Sequence, residues 1–208
     1  MSAYTALRVT SAGVVFFAEH AARVSRSAGA AAERAFRDFA ARVEPGCWAV
    51  SVDPSGGLSA RPLPGSRLFD GMPARSALSP WLPGAGPVEK APPPGPYAAL
   101  RENGVSVLLT SPDGGEIWES CSAATLAFDG RGLIHPPDDR PRVRSTAEAY
   151  LRARFAARAA PIPADSRALV LVNAVKGVCE LAAPRSQDFP PALLAELRAT
   201  VEASARRA

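Results

Sequence analysis

VEKAPPPGPYAALRENGVSVLLTSPDGGEIWESCSAAT, residues 88–125, is the stretch on which the reading of this chain turns. A single lysine, Lys90, stands before a proline run. A short helical segment follows, and then an apolar, β-prone run over 105–110. The Pro-Asp-Gly-Gly sequence after it predicts a tight turn into a second strand that ends at Glu119. One amine and one carboxylate thus flank a hairpin, and both are expected to face one pocket whose walls the rest of the chain builds.

Working outward toward the N-terminus, residues 4–10 and 13–17 read as a hairpin around a Ser-Ala-Gly turn. From Ala18 the period changes: His20, Arg23, Val24 and Ala28 recur at three- and four-residue spacing, predicting a helix. A second helix is expected over 31–43, stopped by Pro45 and Gly46, followed by strands at 47–52 and 58–63. Residues 71–96 are rich in Pro, Gly, Ala and Ser and read as irregular strands crossing between two halves. Beyond the central stretch, short strands are expected at 123–128 and 133–135 around an Asp-Gly-Arg-Gly turn. A helix at 146–159, marked by Ser145-Thr146, comes next, then a buried strand at 168–173 and a final helix from Pro191 to about Ala205.

Composition narrows the classes. No apolar run approaches the roughly 20 residues of a membrane span, and MSAYTALRV lacks the basic and apolar regions of a secretory signal. Cys47, Cys121 and Cys179 are odd in number and irregular in spacing, so neither a disulfide framework nor a zinc site follows. A cytoplasmic protein is expected. The net charge of +4 is spread among acids, no nucleic-acid motif is present, and partners are expected to be small molecules, with neither nucleic acid nor membrane. The basic residues themselves are lopsided: of 24 Lys plus Arg, two are lysines, Lys90 and Lys176, leaving 24 − 2 = 22 arginines. A surface charge can be carried by arginine, whereas an imine-forming residue must be an amine able to lose its proton.

In order along the chain, AYTALRV (3–9), EHAARVSRSA (19–28), GGEIWESCSAAT (114–125), RSTAEAYL (144–151) and ALVLVNAVKGV (168–178) resemble the segments of the class IV, or fold-type IV, pyridoxal phosphate (PLP) aminotransferases. The likeness is to the short form that includes aminodeoxychorismate lyase. The resemblance implies an α/β (α+β) fold of the D-amino acid aminotransferase type, with a small N-terminal α/β domain over 1–80. A C-terminal cofactor-binding domain over 81–208 would hold a mixed sheet or barrel and helices. It implies PLP as cofactor and a two-fold homodimer; with no histidine pair near acids in the sequence, no metal is expected.

Position by position, the resemblance makes Lys90 the Schiff-base lysine, 119 − 90 = 29 residues before Glu119, which would pair with the pyridine nitrogen. Arg23, Ser145, Thr146, Asn173 and Ala174 would hold the phosphate. Arg8, Tyr97, Arg144 and Lys176 are candidates for facing the substrate. His20 is expected to pack or hydrogen bond, and His135 has no assigned role. The implied reaction is the conversion of 4-amino-4-deoxychorismate to 4-aminobenzoate and pyruvate. The alternatives are a class IV aminotransferase acting on branched-chain or D-amino acids, and a catalytically weakened member kept as a binding or dimerisation module. The sequence departs from the family at the prolines after Lys90, at Ala124, where the family has asparagine, and at Arg142-Val143-Arg144, where it has a glycine-bearing turn.

Overall fold

In the computed structural model, residues 2–63, 75–80 and 105–206 are described. The chain opens with strand β1 (Ala3–Thr10) and the short β2 (Gly13–Val14), followed by helices α1 (Phe17–Ala28) and α2 (Ala30–Ala40). Strands β3 (Gly46–Val52) and β4 (Leu58–Pro62) complete an antiparallel sheet in the order β2-β1-β3-β4. The helical period read from Ala18 onward is realised. Val24 and Ala28 of α1 and Ala32 and Phe36 of α2 bury against Leu7, Val50 and Val52 of the sheet, so one helical stripe meets one pleated face.

Strand β5 (Arg75–Pro80) runs parallel to β6 (Val105–Thr110), which pairs antiparallel with β7 (Glu116–Ser120). A regular ladder thus occupies part of the region expected to be irregular. Strands β8 (Ala124–Phe128) and β9 (Leu133–His135) lead to helix α3 (Thr146–Phe155). After it come β10 (Arg158–Ala159), β11 (Ile162–Pro163), β12 (Leu169–Asn173), β13 (Gly177–Glu180) and helix α4 (Pro191–Ala203). These strands form two further sheets, β10-β9-β8-β12-β13 and β11-β7-β6-β5.

Strand β12 shows why LVLVN is apolar throughout. Leu169 and Leu171 point into the core shared with Leu108 and Ile117 of the β6–β7 sheet, while Val170 and Val172 point toward Ala147 and Leu151 of α3 and Leu194 and Leu197 of α4. Both faces are covered, so no polar alternation survives.

Two local features depart from the sequence reading. Helix α3 ends at Phe155, not near Ala159: Ala156 adopts the left-handed conformation at φ 47°. The chain then pairs Arg158 and Ala159 in parallel with Ile134 and His135. Strand pairing here overrides the helix propensity of FAARAA. In β7, the register with β6 shifts by one: Leu109 faces Glu119, but Thr110 faces Ile117, leaving Trp118 as the extra residue of a β-bulge. Ile117 therefore points into the core between the sheets, while Trp118 and Glu119 both turn to the opposite side, where Leu109, Cys121 and Val143 pack.

Candidate functional site

A cavity of about 520 Å³ lies between α1 and the N-terminus of α3. The two helices meet because Phe16, the residue before α1, packs its ring 5.0 Å from that of Tyr150 in α3. Arg23 and Arg26 of α1 line the cavity on one side, and Arg144, Ser145 and Thr146 on the other. Arg23 is 3% exposed, while Arg26 and Arg144 reach solvent at the mouth. Ser145 is the N-cap, its hydroxyl accepting from the amide of Glu148 at 3.2 Å. The first amides of a helix have no intrahelical partner, and the helix dipole points its positive end here. Five arginines (Arg23, Arg26, Arg142, Arg144, Arg152) and three carboxylates (Glu19, Asp138, Glu148) line the space, a formal balance of 5 − 3 = +2. Burial raises the Glu19 carboxyl above its ordinary value. A dianion such as a phosphate monoester is the complementary guest.

Glu119 is 3% exposed, and its Oε2 accepts from the amide of Val143 at 3.0 Å. The carboxylate is thereby fixed two residues from the Ser145 cap. The bulge at Trp118 is what turns it there. In an even two-residue alternation without a bulge, Glu119 would share the face of Ile117, inside the apolar core between the sheets.

Asn173 and Ala174 sit in the turn between β12 and β13. Asn173 Oδ1 accepts from the amides of Val175 (2.8 Å) and Lys176 (3.3 Å), and its Nδ2 donates to the Ser122 carbonyl (2.5 Å). The turn closes on Gly177, whose φ of 85° suits glycine. Ala174 belongs to the same apolar cluster as Ala147 of α3, and neither Asn173 nor Ala174 lines the cavity. Lys176 is half-buried in the same turn. Arg8 is not in the lining of this cavity: it is buried on β1 and its guanidinium donates to Glu202 of α4 at 2.8 Å. His20 is fully buried and hydrogen bonded to the Thr5 hydroxyl at 2.7 Å, a packing position. Lys90 and Tyr97 lie outside the described residues.

Along the cavity wall runs a network, buried at Arg142, Glu148 and His135 and exposed at Asp138, that sequence reasoning did not find. Arg142 is 5% exposed and clamps Glu148, 2% exposed, through two bonds of 2.5 and 2.9 Å. The same guanidinium donates to the Pro136 carbonyl at 2.9 Å and approaches Asp138 at 3.3 Å. Arg152 binds Asp138 through two bonds of 2.6 and 2.9 Å. His135 donates from Nδ1 to the Pro136 carbonyl at 2.8 Å and lies 3.6 Å from Glu148. His135, Asp138 and Glu148 offer atoms within 4.8 Å of one another, a metal-like grouping, but both acids already have guanidinium partners. The available signal was Ser145-x-x-Glu148, a capping-box spacing with an arginine just upstream.

Burial, followed by repulsion from Arg152, lowers the pKa of His135, against the opposing pull of the Pro136 carbonyl. The folded state therefore binds fewer protons than the unfolded chain below the ordinary histidine range, near 6.5. The His135 contribution to stability is fully present above that value and declines as pH falls through it. Melting curves between pH 7 and pH 5 are expected to show this decline, and His135→Asn is expected to flatten it; an equal slope in both proteins refutes the assignment.

No family model and no curated protein matches this chain by sequence. Solved structures do. A candidate 4-amino-4-deoxychorismate lyase from Legionella pneumophila superposes with a TM-score of 0.69 at 14% identity, covering 98% of this chain and 91% of that one. A fold IV-transaminase from Curtobacterium pusillum gives 0.60 at 16% identity, covering 97% and 84%. The protein has the fold IV-transaminase fold. A hypothetical aminotransferase from Mycobacterium tuberculosis, in its PLP-bound form, shares this transaminase fold at a TM-score of 0.64 and 18% identity, covering 98% and 88%. The fold expected from the resemblance is therefore the fold observed. Among the described residues no helix is long and apolar enough to cross a membrane.

Proposed function

We propose that this chain is a class IV PLP enzyme working as a lyase on 4-amino-4-deoxychorismate, releasing 4-aminobenzoate and pyruvate. The observation that carries this reading is the cavity at the start of α3, where Arg23, Arg144, Ser145 and Thr146 gather around a cationic space with the buried Glu119 held beside them. These groups suit a phosphorylated pyridine: a cationic cradle for the phosphate at one end, a carboxylate for the ring nitrogen at the other. When bound, PLP supplies an electron sink for charge developing on the substrate carbon that bears the amine.

The residues divide the work as follows. Arg23 and the first-turn amides of α3 bind the phosphate, with Asn173 and Ala174 in the turn that shares an apolar cluster with that helix. Glu119 holds a proton on the ring nitrogen, with the Val143 amide fixing the carboxylate. Lys90 would hold the cofactor by its amine and would act as general base toward the proton at C4 of the substrate. Arg144 and Arg26, at the mouth, orient the two carboxylates of an anionic substrate. The lyase reading draws support from the fold likeness to the Legionella protein, and a two-fold homodimer belongs to it.

The alternative is a class IV aminotransferase using the same lysine, since the neighbours in this fold also include aminotransferases. The purified chain is expected to develop a visible absorbance band with PLP, and borohydride followed by mass spectrometry is expected to place a phosphopyridoxyl group on Lys90. Pyruvate release from 4-amino-4-deoxychorismate with no keto acid present supports the lyase. Amino transfer only when a keto acid is added supports the alternative, and a protein that takes up no PLP sinks both.

A further inference from the structure

The buried pair Arg142–Glu148 sits where the start of α3 meets the cationic cavity. Glu148 is the third residue of α3, and Ser145 is its cap. In a capping box, a glutamate at this position folds back onto the amide of the cap residue. Here it does not: both carboxylate oxygens are held by Arg142, at 2.5 and 2.9 Å. Arg142 is itself anchored from behind by the Pro136 carbonyl at 2.9 Å. Yet Glu148 lines the cavity, so a released carboxylate already borders the space that receives the anion.

We propose that Arg142 is a positioning residue: it holds the Glu148 carboxylate back from the first turn of α3 and so keeps the amides there available to a phosphate group. This inference rests on the PLP reading of the site. Arg142 acts through Glu148 and need not touch the ligand. Without it, the carboxylate is drawn to the same helix N-terminus that favours any negative charge, and it competes with the phosphate by occupation and by repulsion.

The experiment compares PLP with pyridoxal, which lacks the phosphate, in absorbance titrations of wild type, Arg142→Met and the double variant Arg142→Met/Glu148→Met, with circular dichroism as the check on folding. Arg142→Met is expected to lose about tenfold or more in PLP affinity while its affinity for pyridoxal changes by less than about twofold, because only the phosphate end is contested. The double variant removes the competing carboxylate and is expected to return PLP affinity to within about threefold of wild type. Unchanged PLP affinity in Arg142→Met overturns the inference, as does an equal loss for both ligands, which marks general loosening. A folded double variant as weak as the single one also overturns it, because Arg142 then contacts the phosphate directly. Should Arg142→Met not fold, the double variant decides alone on the same criterion. A wild type that binds no PLP removes the reading of the site and this inference with it, whereas a wild type that binds PLP beside an unaffected Arg142→Met removes the inference only.

Discussion

Replacing Glu119 by Gln is expected to lower turnover by about 10²- to 10³-fold while PLP remains bound and the fold is kept. The amide side chain has nearly the same shape, and its oxygen can still accept from Val143, the bond that now measures 3.0 Å. What disappears is the negative charge. In a site 3% exposed to solvent, water cannot substitute for that charge in holding a proton on the ring nitrogen. The loss should therefore fall on kcat, with PLP affinity changed far less, because the phosphate end is untouched. Steady-state kinetics with PLP in excess, paired with a melting curve, make the test. Near-normal turnover in a folded Glu119→Gln protein would show that this carboxylate does not face the reacting ring.

Replacing Glu148 by Ala is expected to cost about 3–5 kcal/mol of stability, since it strands a buried guanidinium. Arg142 keeps the Pro136 carbonyl at 2.9 Å and Asp138 at 3.3 Å, so the cost should lie toward the lower end. For a domain of this size, each kcal/mol moves Tm by roughly 2–4 °C, giving a fall of about ten degrees. Removing both charges together, in Arg142→Met/Glu148→Met, is expected to be within about 2 kcal/mol of wild type, because neither ion is then left alone. Denaturant or thermal unfolding of the three proteins measures the contrast. Equal losses in single and double variants would mean that the interaction is not pairwise.

Much of the architecture could be read from the letters because the apolar period is strong where one face is buried. The stripe His20, Val24, Ala28 gave α1, and the unbroken LVLVN gave a strand covered on both sides. The Pro-Asp-Gly-Gly turn likewise marked the β6–β7 hairpin. What could not be read depends on partners distant in sequence. Helix α3 stops at Phe155 because Arg158 and Ala159 are wanted as a strand beside Ile134 and His135, and no local signal announces that pairing. The short β11 is held by Ile117 and Glu116 in the same way.

In the site, Arg23, Ser145, Thr146 and Arg144 could be grouped only through family likeness, since the α1–α3 contact joins residues more than a hundred positions apart. Arg8 is likewise tied to a distant residue: its side chain reaches Glu202, near the far end of the chain. The role of Arg142 was hidden for a different reason. Ser145-x-x-Glu148 reads as a self-sufficient cap, and only the fold reveals that the glutamate has been claimed by another residue.

The unpaired Trp118 has a practical consequence for anyone lining this chain up with others of its fold. Counting along β7 without a one-position gap exchanges the two faces from that point on. A designer who kept every residue but forced an even alternation through the strand would turn the Glu119 carboxylate into the hydrocarbon between the sheets. The insertion sets the handedness of the local address, and it belongs to the site as much as any charged group there.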